Sequence, residues 1–241
     1  MNKKIYTKQE INLFIKLNSP KKIQDYLNGL KFNFEKNGET CKSARFVIKT
    51  KSAHCMEGAM FAAAALEFNG HKPLIMDLRS VKHDFDHVVA VFKQFGYFGA
   101  ISKTNHAVLR YREPVYKSIR ELALSYFHEY FLNNGKKTLR EYSDVFDLRY
   151  FDKSARLHPH PRRRQGYGGQ AVPLPLVRFN TRRGEGVKFS NWRTSEKQLF
   201  DIPHYLDKIK HYKILSLAQS KNLRLADEIE IKAGKLVEWK K

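Results

Sequence analysis

The chain has 241 residues, of which 42% are hydrophobic, and it carries a formal net charge of +21 at pH 7. This length and apolar content suffice for one sizeable core, but no stretch approaches the roughly 18 uncharged apolar residues that a membrane helix requires. We therefore expect a soluble protein with no membrane partner, while the charge suits a nucleic-acid or acidic-protein partner and a basic enzyme equally well.

The chain contains only two cysteines, Cys41 and Cys55. Two are too few for a disulfide scaffold, and free thiols fit a reducing compartment. Charged residues such as Lys3, Lys4 and Lys8 recur before an apolar signal-peptide core could form. We therefore expect a cytoplasmic protein with free thiols, and we predict no cofactor.

Short helices are predicted first, followed by a central buried helix. Lys8 to Leu17 has helical apolar spacing, and Ser19-Pro20 is typical of an N-cap followed by proline at the first helical position. The run from Ala59 to Leu66 is apolar on every side, so we expect this helix to be buried. Asn69-Gly70 is a typical helix end.

Three strand-like segments follow the central helix. They comprise Pro73 to Leu78, His87 to Phe92 and Tyr97 to Ile101, which are rich in β-branched and aromatic residues and are separated by turn residues. We expect an antiparallel sheet packed against the helix. Pro114 precedes an amphipathic pattern from Tyr116 to Phe131, which predicts a further helix that covers the sheet.

The composition changes abruptly between Ser154 and Val187, where arginine, glycine and proline replace any helical or strand periodicity. Tyr167 beside arginines and glycines would fit an RNA-binding arm, but a disordered insertion is the favoured interpretation, because a longer surface loop costs little free energy. We therefore predict a core over residues 1–153 and a basic Gly/Pro-rich insertion over 154–187.

Residues 188–241 are predicted to continue the same domain. An amphipathic pattern from Tyr205 to Gln219 predicts a helix. Glu228 to Lys232 and Leu236 to Trp239 then read as two strands of a small hairpin that turns at residues 233–235.

Cys55 lies in the first turn of the predicted central helix. The unpaired amide groups there carry partial positive charge, which favours the thiolate over the thiol. His87 begins a strand that is predicted to lie in the sheet beside this helix. We therefore predict Cys55 as a nucleophile and His87 as its general base.

The hairpin predicts which residue orients the imidazole. If Lys93 to Gly96 form its loop, His87 lies directly opposite Ser102, and opposed residues share one face of a sheet. A bulge would shift the register and make Asn105 the orienting residue instead, with Asp84 and Asp86 as nearby negative charges. Ser102 is the first candidate and Asn105 the second.

Three segments resemble the transglutaminase-like superfamily, whose members have a papain-like cysteine site. They are Ser52 to Ala59, Asp86 to Phe92 and Gly96 to Ser102, in the order of the cysteine, histidine and third-residue segments of that superfamily. The resemblance spans Thr40 to Phe131 and is nearest to bacterial members. It implies a transglutaminase-like α+β fold with a cysteine, histidine and third-residue site, and Ser102 stands where the superfamily usually has aspartate.

Two other patterns are weaker. His83 to His87 contains metal-ligand types, but residues four apart along a strand lie about 13 Å apart, so we predict a solvated acidic turn and no metal site. Gly166 to Gly169 lacks the Gly-Lys-Ser/Thr ending of a phosphate-binding loop, so we predict no nucleotide site.

The sequence thus supports two functions of different classes. The first is cysteine-dependent acyl transfer or hydrolysis on a peptide or protein amide substrate, in which Cys55 attacks the carbonyl and His87 transfers the proton. The alternative is a non-catalytic binding module of the same fold, whose basic surface holds nucleic acid or an acidic protein.

Overall fold

Two capped helices lie at the beginning of the computed structural model, which describes residues 3–152 and 191–234. Helix α1 (Lys8–Lys16) begins after Thr7, whose hydroxyl accepts the Glu10 N–H at 3.2 Å. Helix α2 (Pro20–Gly29) begins after Ser19, with proline at its first position. Both helices confirm the prediction. The predicted insertion at 154–187 lies outside the described residues.

The central helix α4 (Cys55–Phe68) is buried along its whole length after its first residue. Its alanine-rich sequence has no polar face that could contact water, which explains this burial. The Asn69 side-chain amide, at the end of the helix, donates to the carbonyl oxygens of Phe14 and Leu17 and so ties α4 to α1. Gly70 follows with a φ of +91°, a conformation that favours glycine.

The entry to α4 comes from a short helix and a pair of two-residue strands. Strands β1 (Lys31–Phe32) and β2 (Ser52–Ala53) pair in parallel, and α3 (Ala44–Thr50) lies between them in the chain. Because β2 ends at Ala53 and only His54 separates it from Cys55, this pairing fixes where α4 begins.

The main sheet has seven strands among the described residues, and every pairing in it is antiparallel. The strands are β3 (Leu74–Arg79), β4 (His87–Gln94), β5 (Tyr97–Ile101), β6 (Arg112–Tyr116), β7 (Glu141–Ser143), β8 (Phe146–Asp147) and β9 (His211–Lys213). Their order in the sheet is β6-β5-β4-β3-β7-β9, and β8 also pairs with β3. The mixed α+β class and the antiparallel sheet are therefore as predicted.

Both faces of the sheet are covered. Val88 and Ala90 of β4 point to the core that contains α4, whereas Val89 and Val91 point to a second core on the opposite face. The second core includes helix α5 (Ile119–Leu124). His87 is buried at the start of β4 and Ser102 is buried just after the end of β5, so the site lies where these two neighbouring strands begin and end.

The predicted four-residue loop between β4 and β5 is wrong. The turn consists of Phe95 and Gly96 alone, both with positive φ (54° and 86°), which is the two-residue turn that matches the twist of a hairpin. Gln94 therefore pairs with Tyr97. The register differs from the predicted one by two residues, so the alternation of faces is preserved.

The predicted helix from Tyr116 to Phe131 is also wrong as a single element. Tyr116 pairs with Phe98 at the end of β6, α5 is only six residues long, and a 3₁₀ turn follows at Phe127–Glu129. Ser125 ends α5, because its hydroxyl donates to the Leu122 carbonyl at 2.6 Å and Arg112 binds its side chain and carbonyl.

The C-terminal predictions need two corrections. The segment Tyr205 to Gln219 is not one helix: α6 (Asp201–Leu206) and α7 (Leu217–Lys221) are separated by β9, which pairs with β7. The first predicted hairpin strand, Glu228 to Lys232, lies in helix α8 (Glu228–Gly234). The Asp227 carboxylate accepts backbone N–H groups from this helix and Glu230 reaches back to the Asp227 N–H, which stabilises a helix start. The second predicted strand lies outside the described residues.

The segment after residue 190 packs against the helices at the start of the chain. The Arg193 guanidinium binds both carboxylate oxygens of Glu67 at 2.6 and 2.7 Å and also contacts Asp152. The Leu199 N–H donates to the Cys41 carbonyl at 2.8 Å. In the part of the chain that the structure describes, no helix is long and apolar enough to cross a membrane.

Candidate active site

Cys55 is the first residue of α4 and its side chain is half-buried. The first hydrogen bond of the helix runs from the Gly58 N–H to the His54 carbonyl at 2.8 Å. The amide of Cys55 therefore precedes the helical ladder and points out of the helix start. The sulfur lies 3.9 Å from the Asp86 carbonyl oxygen, so it faces the beginning of β4. Cys41, in contrast, is buried in the core.

His87 is held by a hydrogen bond to Ser102. His87 Nε2 lies 2.7 Å from Ser102 Oγ, and Ser102 Oγ lies 3.0 Å from the Leu109 carbonyl oxygen. A carbonyl only accepts, so the single hydroxyl proton goes to Leu109 and Ser102 accepts from His87 Nε2–H. This assignment leaves Nδ1 as the ring nitrogen that is available for the hydrogen bond between His87 and Cys55.

Ser102 is itself fixed by Gln24, which sequence reasoning missed. The Gln24 side chain donates to the Ser102 carbonyl at 2.8 Å and accepts the Ser102 N–H at 2.9 Å. Both residues are buried. A glutamine among the apolar residues Ile23 and Leu27 of α2 was the available signal, because a polar side chain on a buried helix face needs a partner.

The other candidates for orienting His87 lie elsewhere. Asn105 is half-buried in the loop after β5, and Ser102 occupies the His87 nitrogen that would bind it. Asp86 Oδ1 accepts the Ser80 N–H at 2.7 Å, and Asp84 binds Thr138 and the N–H of residue 85. The structure therefore brings together Cys55, His87 and Ser102 but not Asn105.

The contact between His87 and Ser102 arises differently from the prediction. Ser102 continues β5 in a register that places it opposite Val89, two residues from His87. The two side chains are thus diagonal neighbours on one face of the sheet, and such neighbours are within reach of a long or aromatic side chain. A shift of two residues keeps the face, which is why the pair still meets.

Electrostatics at Cys55 favour the thiolate. Burial by itself raises the pKa of the thiol, but hydrogen bonding to His54 and His87 and the charges of both rings outweigh it and lower the pKa from 9.0 to about 5. Burial raises the pKa of Cys41 well above its usual range, because the thiolate would lose its hydration and would face Glu57. Only one of the two cysteines is therefore ionised near neutral pH.

His54 and Glu57 are further members of the site that sequence reasoning missed. Glu57 is fully buried, and its carboxylate accepts the His54 N–H at 3.1 Å, the Thr40 hydroxyl at 2.8 Å and the Asn33 side-chain amide at 3.1 Å. Lys42 Nζ lies 3.6 Å away. The spacing of His54 and Glu57 is that of a capping box before an apolar helix, and this was the signal that sequence reasoning could have used.

Side chains of the types that bind metal ions do not cluster into a possible site among the described residues. Among the residues that the structure describes, no group of three or more histidine, cysteine, aspartate or glutamate side chains could hold a metal ion. His83 lies in a turn and His87 in β4, and His87 turns to Ser102.

The sequence matches no protein-family model and no curated protein.

Proposed function

We propose that the protein catalyses cysteine-dependent acyl transfer or hydrolysis on a peptide or protein amide substrate, with a transglutaminase-like fold and site. The observation that carries this proposal is a half-buried thiol whose pKa is lowered to about 5 beside an imidazole that is itself oriented by a buried hydroxyl. A structural cysteine has no need of such an arrangement, and Cys41 lacks it.

Acylation follows from this geometry. The Cys55 thiolate attacks the substrate carbonyl carbon, and a C–S bond forms while the carbonyl π electrons move to oxygen. The Cys55 N–H at the helix start is a donor for that oxygen, because helix N-terminal amides point at developing negative charge. When the C–N bond breaks, the leaving nitrogen takes a proton from His87 Nδ1.

Deacylation uses the same imidazole. Neutral His87 removes a proton from water or from an acceptor amine, the new C–O or C–N bond forms, and the C–S bond breaks to return the thiolate. Ser102 accepts from Nε2–H throughout and so keeps Nδ1 directed at the reacting atoms. The Ser102 hydroxyl fills, as a neutral acceptor, the position at which the transglutaminase-like superfamily usually has an aspartate.

Acetylation by p-nitrophenyl acetate tests the proposal without knowledge of the substrate. We expect a burst of p-nitrophenolate equal to one acetyl group per chain, located on Cys55 by peptide mass spectrometry. Cys55→Ser should abolish the burst, while Cys41→Ala is the matched control that keeps it, since Cys41 is buried and protonated. His87→Asn should leave a stable acetyl adduct, because water is no longer activated.

The alternative of a non-catalytic binding module predicts the opposite result. It requires no acetyl adduct at Cys55, and affinity for nucleic acid or an acidic protein that falls steeply as salt rises. If the burst occurs, ammonia release from glutamine peptides, new peptide termini and incorporation of a fluorescent amine separate deamidation, peptide hydrolysis and cross-linking. Free, ionisable Cys55 also fits the cytoplasmic location expected from the sequence.

A further inference from the structure

The imidazoles of His54 and His87 both interact with the Cys55 sulfur. Hydrogen bonding from His54 and from His87 both act on Cys55, although one imidazole suffices for the mechanism above. His54 immediately precedes Cys55 as the N-cap of α4, whereas His87 reaches the sulfur from β4. The two rings have different surroundings, and these surroundings suit different roles.

The surroundings of His54 favour a permanent cation. Its Nε2 lies 3.0 Å from the Thr40 carbonyl oxygen, so this nitrogen carries a proton. The carboxylates of Glu35 and Glu57 lie 3.5 and 3.6 Å from the same nitrogen. Burial lowers the pKa of His54, but hydrogen bonding to Cys55 and the charges of Cys55 and Glu57 outweigh it and raise the pKa to about 9.

Among the residues that the structure describes, no carboxylate pairs with His87. Its Nε2 contacts the neutral hydroxyl of Ser102, and the carboxylate of the preceding residue, Asp86, accepts the Ser80 N–H. A neutral hydroxyl orients an imidazole without adding a charge beside it. The two rings therefore differ in their partners, which are carboxylates for His54 and a hydroxyl for His87.

Glu35 supplies an independent observation. It has a φ of 53°, a left-handed backbone conformation that non-glycine residues rarely adopt. Its N–H donates to the Asn33 side chain, and its carboxylate accepts the Thr40 N–H at 2.7 Å. This strained turn positions the Glu35 carboxylate beside His54 Nε2, so the strain has a definite electrostatic result.

Two other titratable groups near the sulfur are uncharged at neutral pH. Burial keeps the pKa of Tyr130 well above its usual range, and burial does the same for Cys41. Lys42 Nζ binds Ser52 Oγ at 3.1 Å and lies beside Glu57 rather than the thiol. Among the described residues, the imidazoles of His54 and His87 are thus the groups whose charge favours the Cys55 thiolate.

We propose that His54 is a dedicated thiolate-holding cation, fixed by Glu35, Glu57 and Thr40, and that His87 is thereby reserved for proton transfer. This inference rests on the proposed function for its catalytic meaning, but the state of the thiol is measurable without it. With His54 as the cation, ionisation of Cys55 before acylation does not require a proton on His87.

The test is the rate of Cys55 alkylation by iodoacetamide as a function of pH, in the wild type, His54→Asn and His87→Asn. Asparagine at position 54 keeps a competent N-cap and removes the cation. We expect His54→Asn to raise the pKa of the alkylation profile by about 1 to 3, and so to slow alkylation at pH 6 by about twofold to 100-fold. His87→Asn should raise the pKa of the profile less than His54→Asn does, because the His54 cation stays in place, and it should lose turnover of p-nitrophenyl acetate at every pH.

A second variant protects the test from misfolding. His54→Gln retains a donor for the Thr40 carbonyl without charge, and it should shift the profile in the same direction, with Glu35→Gln giving a smaller shift. Unchanged alkylation profiles in folded His54→Asn and His54→Gln would overturn the inference, as would loss of low-pH alkylation in His87→Asn alone. An acetyl burst with unchanged profiles would reject this inference and keep the enzyme, whereas the expected shift without a burst would reject the enzyme and keep the thiolate-holding cation.

Discussion

Replacement of Ser102 by alanine separates its two tasks, which are to orient His87 and to satisfy buried polar groups. The substitution removes one oxygen and leaves His87 Nε2–H and the Leu109 carbonyl without a partner in a fully buried position. Each such group costs about 1–3 kcal/mol, so the free energy of unfolding should fall by about 2–6 kcal/mol. Urea denaturation measures this loss directly.

Ser143→Ala is the matched control. Ser143 is also fully buried on the sheet, and its hydroxyl accepts the Asp77 N–H at 2.9 Å and donates to the Asp144 carbonyl at 2.8 Å. Its loss therefore leaves the same number of backbone or ring partners unpaired, but none of them belongs to His87. The two variants should lose similar stability.

Turnover should distinguish the two variants. Without Ser102 the His87 ring can adopt the wrong tautomer and orientation, so steady-state hydrolysis of p-nitrophenyl acetate should fall by about 10²-fold, in the lower range of general acid–base contributions. Ser143→Ala should hydrolyse the ester at the wild-type rate. Equal turnover in both folded variants would refute the assignment of Ser102 as the orienting residue.

Ser102→Asp should not raise turnover, although the superfamily that the sequence resembles usually has an aspartate at this position. A carboxylate has no proton for the Leu109 carbonyl, 3.0 Å from the present hydroxyl, and it would bring a charge into a fully buried position. We expect Ser102→Asp to lose both stability and turnover. Higher turnover in this variant would mean that the loop at Leu109 adapts to a carboxylate.

Two predictions concern the surrounding fold. In Gly58→Ala, the new Cβ would lie 2.3 Å from the Cβ of buried Lys103. This overpacking should lower the free energy of unfolding in urea by about 1–3 kcal/mol and should slow Cys55 alkylation. Gly29→Ala is the control, because a Cβ at Gly29 meets no atom within 4 Å. The pKa of Glu10 is lowered, because bonds from Arg45 and Thr7 outweigh its burial. The stability from this shift is present above the ordinary pKa of 4.5 and is lost as pH falls through the lower pKa of the folded state. Glu10→Gln should therefore reduce the loss of thermal stability at acid pH. An unchanged acid dependence would contradict this reasoning.

The central helix was predictable because its signals are local. An uninterrupted apolar run indicates a buried helix regardless of what covers it, and Asn69-Gly70 marks its end. Cys55 could be placed at its first turn by the same reasoning. The C-terminal helix α8 has an equally local signal in the cap formed by Asp227 and Glu230, but the alternation of Glu228 to Lys232 predicts a strand.

The contact of His87 with Ser102 was predicted from a hairpin whose loop length was wrong. The turn in the structure is two residues long, so the register differs from the predicted one by two residues. Because side chains alternate faces with a period of two, Ser102 still lies on the same face as His87. A loop shorter or longer by one residue would have turned Ser102 to the opposite core. The sequence signal for the short turn was present, since glycine at position 96 provides the positive φ that such a turn needs.

Gln24, Glu35 and Thr40 could not be placed at the site from sequence, because each acts on a residue distant in the chain. Gln24 binds Ser102 across 78 positions, and no local pattern fixes the position of α2 against the end of β5. These long-range bonds satisfy buried polar groups that would otherwise destabilise the fold, and they also set the directions of His54 and His87. The same contacts therefore serve stability and the electrostatics of Cys55, so variants at these positions must be compared at equal folded fraction before a change in thiol reactivity is assigned to the site.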